Sequence, residues 1–402
     1  MVNVELELAI ELIADSIRTI TDVEEVNIEE ARGRLLAQNI YAPINQPPFN
    51  RSPLDGYAIR AKDTTNCSKT NPVRLKVIDE ICAGESTKNI VGEKEAIRIM
   101  TGAKIPEGAD CVIKQENTDY GMESVEIYEE LKEYDNYCFE GEDIKKGSKL
   151  INQGEKLNYI HIGILASMGY EKVYVKRKPN VAIISTGDEL IPLGQPLSEG
   201  KIYDSNRRMI KGRLLDYGCN VIKSYVVYDD EIKIAKIIDG LIDSVDLIVT
   251  TGGVSVGKKD LLHVVVDILG GERIFWRVNI KPGTPGLYAK YKDKPLLCLS
   301  GNPFAAIATF ELLGSGLLYK LTGDHELKQV RKISVIEDNF LKPSKKRRII
   351  RGIYEDNKVY LSKGGHSSGM LYSMIGCNCL IDIKPNTEKL LKGDKVEIIL
   401  LK

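Results

Sequence analysis

Apolar residues recur three and four positions apart at the start of the chain. Leu6, Ile10, Ile13 and Ile17 share one face, with Glu5, Glu7, Glu11 and Asp15 between them. That spacing predicts an amphipathic helix. A second helical stretch is expected over residues 28–37. From about 42 to 143 the texture changes to short apolar runs, at 73–81, 96–100 and 111–114, broken by Gly, Pro, Asn and Asp. This pattern predicts a mostly β module. A helical stretch at 157–167 leads into a third region, about 173–321. There, β-branched runs at 181–184, 221–227, 247–250 and 296–299 alternate with helical patterns at 205–216, 232–242, 260–269 and 303–321. Continuous apolar strands alternating with helices predict a parallel α/β sheet. From about 328 the runs are strand-like again, at 332–336, 348–354, 358–361, 379–383 and 395–400, which predicts a small β-barrel or sandwich.

Composition narrows this picture only slightly. With 402 residues the chain has room for two to four domains. A net charge of -1 gives no basic field for nucleic acid. The acids of the first helix exclude a signal peptide there, and no apolar run reaches the length of a membrane span, so no membrane contact is expected. The eight cysteines show no zinc spacing and suggest reduced, mostly buried thiols in a cytoplasmic protein.

Candidate chemistry gathers at the strand ends of the α/β region. Residues 248–257 (IVTTGGVSVG) leave a strand and enter a helix near Asp260. Gly252, Gly253 and Gly257 permit a sharp turn with Ser255 between them, and the free N–H groups of the next helix suit a phosphate. A plain strand–helix turn is the alternative. Ser185-Thr186-Gly187-Asp188-Glu189, Tyr228-Asp229 and Ser300-Gly301-Asn302-Pro303 end neighbouring strands and converge on the same rim. Asn302-Pro303 also reads as a helix cap, as do Asp204 and Ser205. Asp188, Glu189, Asp229 and Asp260 beside a phosphate cradle suggest Mg²⁺. Arg277 and Lys281 lie ahead of Pro282-Gly283, which argues for a loop, and fixed cations of this kind suit an oxyanion. In the β region, Asp55 sits in a Pro-rich loop at 47–60 (PPFNRSPLDGYAIR) and Thr101 at a strand end in 99–110 (IMTGAKIPEGAD).

These strings resemble, in order and across essentially the whole chain, the MoeA and gephyrin E-domain family of molybdopterin molybdenumtransferases. Six motifs carry the resemblance: PPFNRSPLDGYA, MTGAKIPEGAD, GEDI at 141–144, STGDEL, GGVSVGKKD, and NIKPG followed by SGNP. It implies a multidomain α/β plus β fold with four parts. A discontinuous, elongated helical domain takes 1–41 and 144–172, its first helix free to pack on the α/β domain. An inserted β domain takes 42–143, a doubly wound α/β domain of molybdopterin-binding type 173–325, and a C-terminal β domain 326–402. It implies a reaction of adenylylated molybdopterin with molybdate, assisted by Mg²⁺, giving molybdenum cofactor and AMP. It also implies a homodimer with the site near the subunit interface, and molybdopterin adenylyltransferase and molybdoenzyme maturation proteins as partners. By motif, Asp55, Thr101, Asp143, Asp229 and Asp260 match catalytic positions. Ser185, Thr186, Gly187, Glu189, Gly252, Gly253, Ser255, Gly257, Asn302 and Pro303 match cofactor-binding positions. Arg277, Lys281, Arg351 and Ser368 match positions suited to the oxyanion.

Two departures stand out. Tyr137, Cys138, Phe139 and Glu140 replace the arginines that often precede GEDI, so no arginine contact carries over there. Ser300 stands where the family often has Pro. Two other functions fit parts of the chain. One is molybdopterin adenylylation, which needs the α/β domain alone and leaves the β domains unexplained. The other is a gephyrin-like scaffold, which would lack the second α/β domain and long linker.

Overall fold

The computed structural model describes residues 1–254 and 261–401. Its contacts divide the chain into two compact units. One comprises Met1–Glu25, Gly33–Ala37 and Tyr174–Lys402, and the other Val26–Arg32 and Gln38–Val173.

The first unit is built on a seven-stranded sheet. Its order is Val2–Val4, Glu272–Val278, Leu287–Tyr291, Lys294–Leu299, Leu247–Thr251, Asn180–Thr186 and Asn220–Val227. Leu287–Tyr291 runs antiparallel to its neighbours, and every other pairing is parallel. The central strands are apolar throughout because both faces are covered. Val181, Ile183, Leu247, Val249, Leu297 and Leu299 face one core, shared with Ile210, Phe304, Leu317 and, from the first helix, Leu6 and Ile13. Ala182, Ile184, Ile248, Leu296 and Cys298 face the other, against Ile234, Ile238, Leu262 and Val265. The sheet is therefore doubly wound. The first strand pairs with Glu272–Val278 and the helix Leu6–Ser16 packs into the first core, so the amphipathic start of the chain belongs to this unit.

The helix expected at 303–321 is present with a local widening. Pro303–Thr309 passes through a π-helical turn at Phe310–Gly314 into Ser315–Thr322. By length and composition the whole run Pro303–Thr322 could cross a membrane, contrary to the sequence reading, yet it is mostly buried as a core helix. Buried Glu311 in the widened turn is held by Arg213 Nε at 2.6 Å and Tyr217 OH at 2.6 Å.

The C-terminal strands Arg331–Ile336, Arg347–Glu355, Lys358–Leu361, Cys379–Ile383 and Lys395–Leu400 close into a five-stranded barrel. Each pairs with two others, so no edge is left open along the ring. Ile280–Lys281 adds a short parallel strand alongside Arg347–Glu355. The loop expected around Arg277 and Lys281 is thus strand on both sides of Asn279.

The second unit holds a five-stranded sheet in the order Cys111–Lys114, Gly56–Ile59, Glu95–Ile99, Ser68–Ile81, Ser124–Glu129. Its helix Tyr159–Ser167 begins at Asn158, whose Oδ1 accepts from Ile160 and His161 N–H, while His161 Nδ1 accepts the Asn158 N–H. These reciprocal bonds satisfy donors that a helix start otherwise leaves open. The helix expected at 28–37 is a single turn, Ile28–Ala31. All eight cysteines are free thiols, and five are buried.

Candidate active site

Four parallel strands end on one edge of the α/β sheet. Asn180–Thr186 leads into Gly187, Leu247–Thr251 into Gly252 and Gly253, Lys294–Leu299 into Ser300-Gly301-Asn302, and Asn220–Val227 into Tyr228-Asp229. Ligands sit beyond such an edge in open α/β sheets. Here it borders a cavity of about 930 Å³ whose other wall comes from the barrel.

The rim turns are tight because their glycines admit no side chain. Gly252 has φ 93°, and a Cβ there would lie 2.3 Å from the Thr186 carbonyl oxygen. Gly253 has φ 65°, and a Cβ there would lie 3.0 Å from Thr186 Oγ1. Bare backbone therefore faces the cavity, as close approach to a phosphate requires. A Cβ at Gly187 would lie 2.6 Å from Glu189 Oε1, so that carboxylate folds back over the glycine. Thr186 Oγ1 is buried without a hydrogen-bond partner among the described residues. Asn302 starts the helix Pro303–Thr309, yet its side chain makes no capping bond and the residue lines the cavity. Ser185 lies deeper, donating to Asp204 Oδ1 at 3.2 Å and accepting from Thr251 Oγ1 at 2.8 Å, so it braces two strands from below.

The barrel wall has a different chemistry. Lys281, Lys342, Arg348, His366, Ser367 and Ser368 line it. Lys281 and Arg348 are register partners on adjacent parallel strands. Two cations side by side repel unless an anion screens them. Among the described residues none of Lys281, Lys342 and Arg348 forms an ion pair. Burial, reinforced by Arg351, Lys342 and Arg348, holds the His366 pKa below the usual imidazole range. The ring is therefore neutral at neutral pH.

Three family models match this chain from end to end. Residues 4–169 match the MoeA N-terminal region (domain I and II), 182–320 the probable molybdopterin binding domain, and 335–401 the MoeA C-terminal region (domain IV). Among curated relatives, the molybdopterin molybdenumtransferase of Staphylococcus epidermidis is 35% identical over 93% of this chain and 90% of its own. That of Haemophilus influenzae is 35% identical over 94% of each.

The chain belongs to the MoeA family.

The solved molybdopterin biosynthesis MoeA protein of Pyrococcus horikoshii superposes on it with a TM-score of 0.85 at 34% identity, covering 100% of this chain and 99% of that one.

Within this MoeA chain, the cavity brings together Thr186, Gly187, Glu189, Asp229, Gly252, Gly253, Asn302, Lys281 and Ser368 of the residues singled out from the sequence. Ser255, Gly257 and Asp260 lie outside the described residues. Pro303, the first residue of its helix, and Ser185 are not among the lining residues. Neither are Arg277 and Arg351. Arg277 belongs to the strand Glu272–Val278, its guanidinium 5.7 Å from the Trp276 ring centre. Arg351 is fully buried and donates to backbone carbonyls of the loop at 365–370. Lys342, Arg348 and His366 were not singled out from the sequence, although the basic run from Lys342 to Arg348 is visible there.

Mg²⁺ can be tested against the donors present. Glu189 and Asp229 both line the cavity. Among the described residues no group of three His, Cys, Asp or Glu could hold a metal ion alone. Two carboxylates beside a phosphate cradle still fit this ion, which keeps several waters and takes substrate phosphate oxygens.

The second unit joins Asp55 to Thr101. Asp55 Oδ1 accepts from Thr101 N–H and from Thr101 Oγ1, each at 2.7 Å. Those two bonds, the backbone one first, hold the Asp55 carboxyl below its usual range. The neighbouring Gly56 is obligatory, since a Cβ there would collide with the Ile113 carbonyl. Asp143 is exposed, and its N–H donates to Gln46 O at 3.0 Å. Where arginines were absent from the sequence, Tyr134, Tyr137 and Phe139 cluster with ring centres 4.9–5.4 Å apart.

Proposed function

We propose that this chain is a molybdopterin molybdenumtransferase that takes adenylylated molybdopterin and molybdate and yields molybdenum cofactor and AMP. The observation that carries this reading is one cavity with two unlike walls. One is a glycine rim with two carboxylates, and the other an acid-free wall of cations. Such a pairing suits a substrate that carries a phosphoanhydride and a partner that is a small dianion.

The AMP phosphate approaches the turn at Gly252 and Gly253, where no side chain intervenes and the Gly252 N–H is committed to Leu299 O at 3.1 Å. Asn302 supplies an uncommitted amide beside it. Glu189 and Asp229, with Asp260, would hold Mg²⁺, which would neutralise the pyrophosphate charge. Lys281 and Arg348 place molybdate by fixed charge, and Ser368 closes the same wall. The rate gain comes from positioning and charge stabilisation rather than from a covalent nucleophile. The protein works as a cytoplasmic homodimer, a state that sedimentation at micromolar concentration tests directly.

The deciding experiment incubates the purified chain with adenylylated molybdopterin, Mg²⁺ and molybdate. AMP release that depends on molybdate is the expected result. AMP release indifferent to molybdate, or none at all, refutes the reading.

A further inference from the structure

The rim turn at Ser300-Gly301-Asn302 has few ties of its own. Within it, the Asn302 N–H donates to Ser300 Oγ at 3.3 Å, a long contact. A shorter bond comes from another element, where Asn206 Nδ2 donates to Gly301 O at 2.7 Å. Gly301 borders the cavity, and a Cβ on it would lie 3.6 Å from Gly252 Cα, so the two rim turns pack backbone on backbone. Asn206 is 8% exposed and is not among the residues lining the cavity. It opens the helix Asn206–Asp216, which is anchored at two places. At the start, Asp204 Oδ1 accepts the Arg207 N–H at 3.1 Å and the Ser185 hydroxyl at 3.2 Å. These bonds satisfy a helix-start donor and tie the helix to a rim strand. Toward the other end, Arg213 Nε donates to buried Glu311 at 2.6 Å. The amide is thus delivered from a fixed platform. Asn206 Oδ1 is buried with no partner among the described residues, so only the donor end of the amide is used there.

We propose that Asn206 is a positioning residue for the phosphate rim: it holds the Gly301 carbonyl and so keeps the 300–302 turn seated on the Gly252 turn, without touching the ligand. The turn has little else to fix it, because Gly301 has no side chain to pack and Ser300 stands where a proline ring would restrict the backbone. A proline is compatible with that position. Leu299 before it is extended strand, and among the described residues the Ser300 N–H has no acceptor. A ring at 300 and an amide at 206 are therefore two independent ways to fix one turn.

The inference rests on the proposed phosphate side of the cavity, and its test separates the two. Asn206→Leu, Ser300→Pro and the double variant are compared with the wild-type full chain. The readouts are amide hydrogen exchange over residues 299–306, the concentrations of adenylylated molybdopterin and of molybdate for half-maximal AMP release, and the thermal midpoint. In Asn206→Leu we expect faster exchange in the turn, a nucleotide requirement raised about tenfold and a molybdate requirement within about twofold of wild type. In the double variant, exchange and nucleotide requirement should return to within about twofold of Ser300→Pro alone, even where the midpoint stays low. A nucleotide requirement that the proline leaves uncorrected overturns the proposal, since Asn206 then only supports the fold. Unchanged exchange in Asn206→Leu also overturns it, as does an equal rise in both substrate requirements. If the wild-type chain releases no AMP, the functional reading fails, and exchange with and without the proline still decides the role of Asn206. Should leucine prevent folding, Asn206→Asp keeps the size and removes the donor. The same expectations then apply, and the same outcomes would overturn them.

Discussion

The two walls of the cavity reach their chemistry by opposite routes. On the α/β rim a ligand would meet backbone, because Gly252 and Gly253 leave no room for a side chain. On the barrel wall it meets the tips of Lys281, Lys342 and Arg348, supported by a loop that buried contacts hold in place. A rim of backbone tolerates almost no substitution, since any added atom displaces the turn. A wall of side chains degrades by steps, one charge at a time. The difference suits the substrates assigned to each. A phosphate that approaches bare backbone needs fixed geometry, while a tetrahedral dianion needs charge from several directions.

The sharpest way to break this comparison is to add one methyl group to the rim. Gly252→Ala puts a Cβ 2.3 Å from the Thr186 carbonyl oxygen and at a φ of 93° that alanine avoids. We expect AMP release to fall about a hundredfold or more, with circular dichroism unchanged, because a small misplacement of the phosphate is that costly. Near-normal turnover would show that the rim does not hold the reacting group.

The barrel wall should respond less steeply. Lys281→Ala and Arg348→Ala each remove one charge-assisted contact, costing roughly 1.5–3 kcal/mol, or about ten- to a hundredfold in molybdate affinity. Because the two are register partners, the double variant should lose less than the product of the single losses. Nucleotide affinity should hold in all three. If Lys281→Ala instead weakens the nucleotide and leaves the molybdate response alone, that lysine belongs to the phosphate side. The metal binding proposed for the rim should be milder still. Asp229→Asn is expected to raise the Mg²⁺ needed for half-maximal rate by about tenfold, and an unchanged Mg²⁺ titration would remove Asp229 from the metal site.

The same contrast explains what can be read from the sequence. The rim is legible there because its signals are local. A buried apolar strand, a glycine pair and a helix lie within a short stretch of chain, and parallel strands carry such ends to one edge. Strand order alone therefore brings four separate stretches, at Thr186, Asp229, Gly252 and Asn302, to the same rim, and all four line the cavity. The barrel wall is only half legible. Lys281 and Ser368 come through motif resemblance, whereas Arg348 reaches the cavity through a register between Ile280–Lys281 and Arg347–Glu355 that spans 67 positions. No local pattern encodes that pairing. Arg351 shows the limit most clearly. In sequence it is another arginine near the basic run, and only the structure shows it fully buried with its guanidinium over the Phe304 ring. The pairing of Asp55 with Thr101 is equally nonlocal, since the hydrogen bonds close over 46 residues.

The gentlest perturbation of the barrel wall is a change of pH, and His366 fixes its sign. The ring lines the cavity, packs edge-on to Phe340 at 5.8 Å, and lies under the influence of Arg351, Lys342 and Arg348. Burial and these cations lower its folded-state pKa below the unfolded value near 6.5. The empty protein should therefore lose stability as pH falls below about 6.5 and through the depressed folded value, because unfolding then takes up a proton that the folded ring resists. A bound dianion reverses the local field and favours the imidazolium. By linkage, molybdate affinity should rise as pH falls through the window between the free and bound pKa values. The rise must stay below the limit of about tenfold per pH unit that one proton allows. Calorimetric titration of molybdate between pH 7.5 and 5.5, roughly the range around an imidazole, reads this directly. His366→Gln should flatten the slope while keeping affinity near neutral pH close to wild type, since the ring is neutral there. A slope unchanged by the substitution would place the titrating group elsewhere on the wall.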